Sequence, residues 1–236
     1  MTHIRIIGTP RSGTNYIKYL IETNSEYQCG FHVGWWKHSI IPSIMSGTEV
    51  MHDNTPTVIM FREPLEQIAS FYKFAKLGRA AIQGKTDSFS SFIREPIIMR
   101  PSDKIEYWFD NPIAYWKQFY RAALSWNNTK MFLDLGVIRQ HPAVAEKALS
   151  ELMGKPFQLD HISSDLKKYM APNIDKPVSS GWSFINDTSL KLEDEKNKAI
   201  MESVSDDDRS YILSDKVNYI YKSLKKTSID KTACNL

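Results

Sequence analysis

The segment Gly8-Thr9-Pro10-Arg11-Ser12-Gly13-Thr14 places two glycines, three hydroxyls and one cation within seven residues. Ahead of it runs Ile4-Arg5-Ile6-Ile7, short and rich in β-branched residues. Behind it Tyr16, Ile17, Leu20 and Ile21 recur at helical spacing. A strand, a glycine turn and a helix start make an anion site: the first helical N–H groups have no partner, and the helix dipole favours negative charge there. Gly8 and Gly13 are separated by four residues, as in a phosphate-binding loop. A site for a metal-bound triphosphate then requires Lys followed by Ser or Thr. Here those positions hold Thr14 and Asn15, and the cation is Arg11, inside the loop. The plainer alternative is a turn with no ligand. The crowding of small donors around Arg11 weighs against it.

A second constellation runs from Phe61 to Tyr72. Arg62 follows an apolar run, Pro64 stands where a helix favours its first turn, and Ser70 comes eight residues after Arg62. Two helical turns let both side chains face the C-terminal end of a parallel sheet, where open α/β folds bind ligands. Arg supplies a planar fork for phosphate, and Ser a hydroxyl. The competing local reading pairs Arg62 with Glu63 or Glu66.

Between these segments lies Gly34-Trp35-Trp36-Lys37-His38-Ser39. Histidine suits removal of a proton near neutral pH, which makes His38 the first candidate base. His32 is the second and His52 the third. Lys37 would neutralise anionic oxygens. Further on, Asp175-Lys176-Pro177-Val178-Ser179-Ser180-Gly181-Trp182 offers a cation, two hydroxyls, a glycine and a ring.

The elements that must position these groups can be read coarsely. Ile4 to Ile7, Gln28 to Val33, Thr55 to Phe61 and Lys130 to Ile138 read as strands. Helices are expected from the loop to Asn24, from Pro64 through Tyr72, over Tyr107 to Trp126, over Ala143 to Met153 closed by Gly154, and from about Leu190 onward. Residues 78–104 hold Gly78, Gly84, Pro96 and Pro101 and read as an insertion or lid; residues 226–236 read as a polar tail. The alternation predicts an α/β fold with a parallel β-sheet flanked by helices, in one domain spanning 1–236. A net charge of +3 is too small for a nucleic-acid-binding surface. No apolar run reaches the roughly 18 residues of a membrane span. Two cysteines, Cys29 and Cys234, and a glycine too close to Met1 for a secretory signal point to a cytoplasmic protein. Aromatic residues make up 12% of the chain, and the ring-rich middle segment favours an acceptor with a ring or a sugar face.

Thr9 to Tyr16 resembles the 5′-phosphosulfate loop of the sulfotransferases that use 3′-phosphoadenosine-5′-phosphosulfate (PAPS), a motif reading Pro-Lys/Arg-Ser-Gly-Thr-Thr. Arg62 with Ser70 resembles that family's 3′-phosphate motif. Lys37-His38 resembles its Lys-x-His base segment without the intervening residue, and Gly181-Trp182 loosely resembles its nucleotide-closing Gly-x-x-Gly-x-Trp loop. The likeness runs from Ile4 to Trp182 and is specific in about twenty residues. It implies a P-loop, three-layer sandwich and transfer of a sulfuryl group from PAPS to an acceptor hydroxyl or amine, with 3′-phosphoadenosine-5′-phosphate (PAP) as product and no metal. By the same likeness Arg11, Ser12, Gly13, Thr14 and Asn15 hold the 5′ end, Tyr16 stacks near the adenine, and Arg62 and Ser70 hold the 3′-phosphate. Lys176, Ser179, Ser180, Gly181 and Trp182 close over the donor. His38, Lys37 and Arg11 act on the reacting groups. The acceptor would be a small molecule or a carbohydrate. One departure is clear: Phe132-Leu133-Asp134-Leu135 stands where many relatives carry Tyr-Glu-Asp-Leu. Two rivals remain, a Mg-ATP-dependent kinase on the same loop and a non-catalytic nucleotide-binding module.

Overall fold

The computed structural model describes residues 3–30, 36–40, 55–78, 82–84, 86–102, 105–159, 195 and 197–228. Four parallel strands form the central sheet: β1 (His3–Gly8), β2 (Gln28–Gly30), β3 (Thr57–Phe61) and β7 (Lys130–Asp134), in the order β2-β1-β3-β7. The register places Gly8 opposite Met60, and Phe61 opposite Asp134. Because all four strands run the same way, Gly8, Phe61 and Asp134 end at one edge of the sheet.

The strands are apolar on both faces because both faces are covered. Ile4, Ile6, Val58, Met60 and Leu133 pack to one side, against helices α1 (Thr14–Asn24) and α6 (Pro142–Met153). Ile7, Ile59, Phe61 and Phe132 pack to the other. There they meet α2 (Pro64–Ala75), α4 (Pro112–Ser125) and α8 (Asp215–Thr227). The period of two along each strand thus divides the core into two halves and gives three layers. The expected α/β architecture with a helix-flanked parallel sheet is the one observed.

Residues 78–104, expected as an insertion or lid, contribute two strands and a short helix. β4 (Ile82–Gly84), β5 (Ile97–Ser102) and β6 (Ile105–Phe109) make a small antiparallel sheet, with α3 (Phe89–Arg94) between β4 and β5. Ile82, Ile97, Met99 and Phe109 bury one face of this sheet in the main core.

Two boundaries are shifted by several residues from the sequence expectation. The helix expected over Tyr107 to Trp126 begins only at Pro112. Residues up to Phe109 are strand, and the Asn111 side chain accepts the Ala114 N–H as a helix cap. The strand expected over Lys130 to Ile138 stops at Asp134, whose carboxylate accepts the Gly136 N–H and starts α5 (Leu135–Gln140). The strand expected over Gln28 to Val33 is described only as Gln28–Gly30. The stretch from 160 to 194 lies outside the described residues. α7 (Asp206–Ile212) and α8 confirm a helical C-terminal region. Among the described residues no helix is long and apolar enough to cross a membrane.

The rings of α4 are core. Tyr115, Trp116, Phe119 and Tyr120 are at most 2% exposed. They therefore cannot line an acceptor cleft, and the ring-rich helix carries no information about the acceptor. Trp108, on β6, is 67% exposed.

Candidate active site

The loop between β1 and α1 is held in a shape the sequence pays for in backbone strain. Arg11 has φ 68°, the one left-handed non-glycine among the described residues, and Gly13 has φ 95°. At Gly13 a β-carbon would come within 2.6 Å of the Leu135 side chain. At Gly8 it would come within 2.3 Å of Ser12 Oγ and 2.7 Å of the Met60 carbonyl oxygen. Both glycines are therefore required by space, and Gly13 also by its hand.

A buried relay fixes the loop from beneath. The Trp116 indole N–H donates to Gln67 Oε1 at 3.0 Å. The Gln67 amide donates to the Pro10 carbonyl at 3.0 Å and to Thr9 Oγ1. Tyr120 donates to the Met60 carbonyl at 2.8 Å. The remaining Thr9–Tyr120 contact, 3.0 Å long, then has Thr9 as donor. Burial raises the Tyr120 pKa and keeps it a phenol. None of this relay is visible in the sequence, because its hydrogen-bonded partners lie 49 to 111 residues apart. Gln67→Leu would leave the indole N–H and the Pro10 carbonyl without partners. Urea unfolding should show a loss of about 2–4 kcal/mol.

Above the relay the loop presents donors. Gly13 caps α1 with no side-chain hydrogen bond to its first turn. Ser12 Oγ is buried beside the Tyr120 phenol and has no well-formed hydrogen bond among the described residues. A buried hydroxyl beside an uncapped helix start fits an anion.

Two segments distant in sequence, residues 36–38 and helix α2, converge on this loop. Arg11 Nε donates to Ser70 Oγ at 3.1 Å, and the guanidinium lies 5.7 Å from the Phe74 ring centre. Lys37 Nζ donates to Asn15 Oδ1 at 2.8 Å. His38 Nδ1 lies 2.5 Å from the Gly8 carbonyl oxygen. A carbonyl can only accept, so Nδ1 carries the proton and, in the neutral ring, the lone pair is on Nε2. The segment is pinned by the Gly8 N–H donating to the Lys37 carbonyl at 3.0 Å and by the Tyr115 phenol donating to the His38 carbonyl at 2.6 Å. The Trp36 ring meets the imidazole edge-on at 5.0 Å.

Lys37 is half-buried, and its pKa falls from the usual lysine value to about 7. Burial is the main cause, followed by the positive charges of Lys18 and Arg11. The unfolded chain therefore binds more protons than the folded one between pH 7 and the ordinary lysine range. Stability relative to Lys37→Met should rise with pH through that window and be flat below it, as denaturant titrations at several pH values would show.

The structure separates the other expected groups. Tyr16, expected near the adenine, is buried in the core with Ile17, Leu20 and Ile21. Arg62, at the end of β3, is 8% exposed, and its Nε donates to Glu66 Oε2 at 2.9 Å. Asp134, at the end of β7, accepts from Lys225 at 2.8 Å. His32, His52 and Trp35 lie outside the described residues, as do Lys176, Ser179, Ser180, Gly181 and Trp182. Among the described residues no three His, Cys, Asp or Glu side chains group as a metal site.

No family model matches the chain. No curated protein matches it. Among solved structures, the mouse sulfotransferase SULT7A1 complexed with PAP is similar over 99% of this chain and 87% of that one. The two share 12% sequence identity, with a TM-score of 0.45.

Proposed function

We propose that the protein is a sulfotransferase that takes a sulfuryl group from PAPS and passes it to an acceptor hydroxyl or amine. The observation that carries this reading is the 3.1 Å contact between Arg11 and Ser70, which joins the first loop to the second-phosphate segment. A phosphate-binding loop alone would be satisfied by many anions. A loop whose cation lies within the turn, beside a serine from the next strand–helix unit, suits an adenosine carrying anions at two positions.

The donor, when bound, supplies the reactive sulfuryl group and its leaving phosphate. The chain's residues supply the rest. Ser12 Oγ, the N–H groups at the start of α1 and Arg11 would hold the 5′ end and balance charge as it develops there. Lys37, anchored on Asn15, would add positive charge at the same place. Once an anion is present beside it, its proton is held more firmly. His38 would accept the acceptor's proton at Nε2 and pass none through Nδ1, which the Gly8 carbonyl occupies. As in phosphoryl transfer, positioning and electrostatics would provide most of the rate enhancement.

Thr14 and Asn15, in place of the lysine and hydroxyl that hold a metal-bound triphosphate, favour this reading over a Mg-ATP-dependent kinase. Calorimetric titration separates them. PAP should bind without metal, and tight binding of ATP alone, dependent on Mg²⁺, would overturn the proposal. Binding of PAP without any sulfated product across carbohydrate, phenol and amine acceptors would leave a nucleotide-binding module instead.

A further inference from the structure

Arg11 keeps a left-handed backbone, φ 68°, that a residue with a β-carbon ordinarily avoids. Rotation about its N–Cα bond would relieve that strain, and the same rotation turns the peptide that carries the Pro10 carbonyl. That carbonyl is held. It accepts from the Gln67 amide nitrogen at 3.0 Å, and the same nitrogen donates to Thr9 Oγ1. Gln67 is 1% exposed, so bulk water would not make good a bond lost there.

The direction of the amide is fixed as well. An indole N–H can only donate, so the Trp116 contact at 3.0 Å turns Gln67 Oε1 toward Trp116 and the NH₂ group toward the loop. Reversed, the amide would set its oxygen against the Pro10 carbonyl. Ser70 lies one turn beyond Gln67 on α2 and accepts from Arg11 Nε at 3.1 Å. Helix α2 therefore holds Arg11 twice, through the peptide before it and through its side chain. On α4 the neighbour of Trp116, Tyr115, donates to the His38 carbonyl at 2.6 Å. Adjacent residues of one helix thus reach both the cation of the loop and the candidate base.

We propose that Gln67 is a positioning residue: by holding the Pro10 carbonyl it keeps Arg11 left-handed, so that the guanidinium reaches Ser70 and meets the anion of the donor. This goes beyond support of the fold, because the N–H groups at the start of α1 can bind an anion whatever Arg11 does. It rests on the donor reading above.

The test is calorimetry with PAP from about pH 5.5 to about pH 8.5 on the wild-type chain, Gln67→Leu and Gln67→Glu, each repeated in an Arg11→Gly background. Gln67→Leu should weaken PAP binding by about tenfold or more at every pH. A buried carboxyl is protonated toward the acid end of that range, where it donates O–H to the Pro10 carbonyl and accepts from the indole as the amide does. Gln67→Glu should therefore stay within about threefold of wild type at the acid end and lose about tenfold as the carboxyl ionises with rising pH. In the Arg11→Gly background neither substitution should change PAP affinity by more than about threefold, because the group that Gln67 positions is gone. Thermal melts set the working temperature below every transition, and the Gln67→Glu series decides the question if Gln67→Leu does not fold. Equal losses in the two backgrounds would make Gln67 a support of the loop's shape alone and overturn the inference. So would unchanged affinity in folded Gln67→Leu, or a Gln67→Glu chain as weak at the acid end as at the alkaline end. Each of these leaves the donor reading intact. A wild-type chain that binds no PAP overturns both.

Discussion

His38→Ala should lower turnover by about 10²–10⁴-fold while leaving PAP affinity within a few-fold of wild type. The Gly8 carbonyl takes Nδ1 at 2.5 Å and so fixes the tautomer. Two further bonds fix the backbone on either side, one from Tyr115 to the His38 carbonyl and one from the Gly8 N–H to the Lys37 carbonyl. A side chain held only for packing would not need its tautomer set by the carbonyl that opens the anion loop. Alanine removes Nε2 and also the Nδ1 contact to Gly8, so some loosening of the loop is expected. His38→Asn can restore a donor to that carbonyl without restoring a base. If the asparagine variant recovers the melting temperature but not turnover, the base role stands. Equal losses of donor binding and turnover in both variants would make His38 a loop support, and unchanged turnover would exclude it as the base.

The central strands were legible because burial on both faces leaves short runs rich in β-branched and apolar residues, Ile4 to Ile7 with Arg5 as its one charged member and Val58 to Phe61 without a break. The errors arose where one chemical signal masked another. Aromatic residues continue from Tyr107 to Trp126, and their density hides the Asn111-Pro112 cap that divides strand from helix. Apolar residues likewise continue past Asp134, so the cap that ends β7 reads as one polar residue in a longer strand. Within the candidate site, the local chemistry was legible: Gly8, Arg11 and Gly13 by spacing, and Lys37 and His38 by type. The pairing of Arg62 with Glu66 was one of two local alternatives, and the four-residue interval permits it without distinguishing it from a ligand site. What no window could show is the relay Trp116–Gln67–Thr9–Tyr120. A glutamine within an ordinary helical pattern carries no sign that it will meet a loop 57 residues away.

Arg11→Gly should separate stability from function more sharply than any other change in the loop. Arg11 adopts φ 68°, a conformation that costs a side-chain-bearing residue about 1–2 kcal/mol and glycine almost nothing. Glycine removes that strain, but it also frees the unfolded backbone and gives up the Ser70 and Phe74 contacts. The melting midpoint should therefore stay close to wild type, corresponding to a change within about 1 kcal/mol. If Arg11 serves sulfuryl transfer as proposed, turnover should fall by about 10²–10³-fold, because the loop would keep its shape and lose its cation. Arg11→Lys supplies the control. It keeps the charge but not the planar group that reaches Ser70 through Nε and lies near the Phe74 ring, so its turnover should fall between the two. Retention of a strained arginine where glycine folds equally well is intelligible only if the guanidinium has work to do at that position. Full turnover in Arg11→Gly would remove that reason, and with it the case that the cation inside the loop serves sulfuryl transfer.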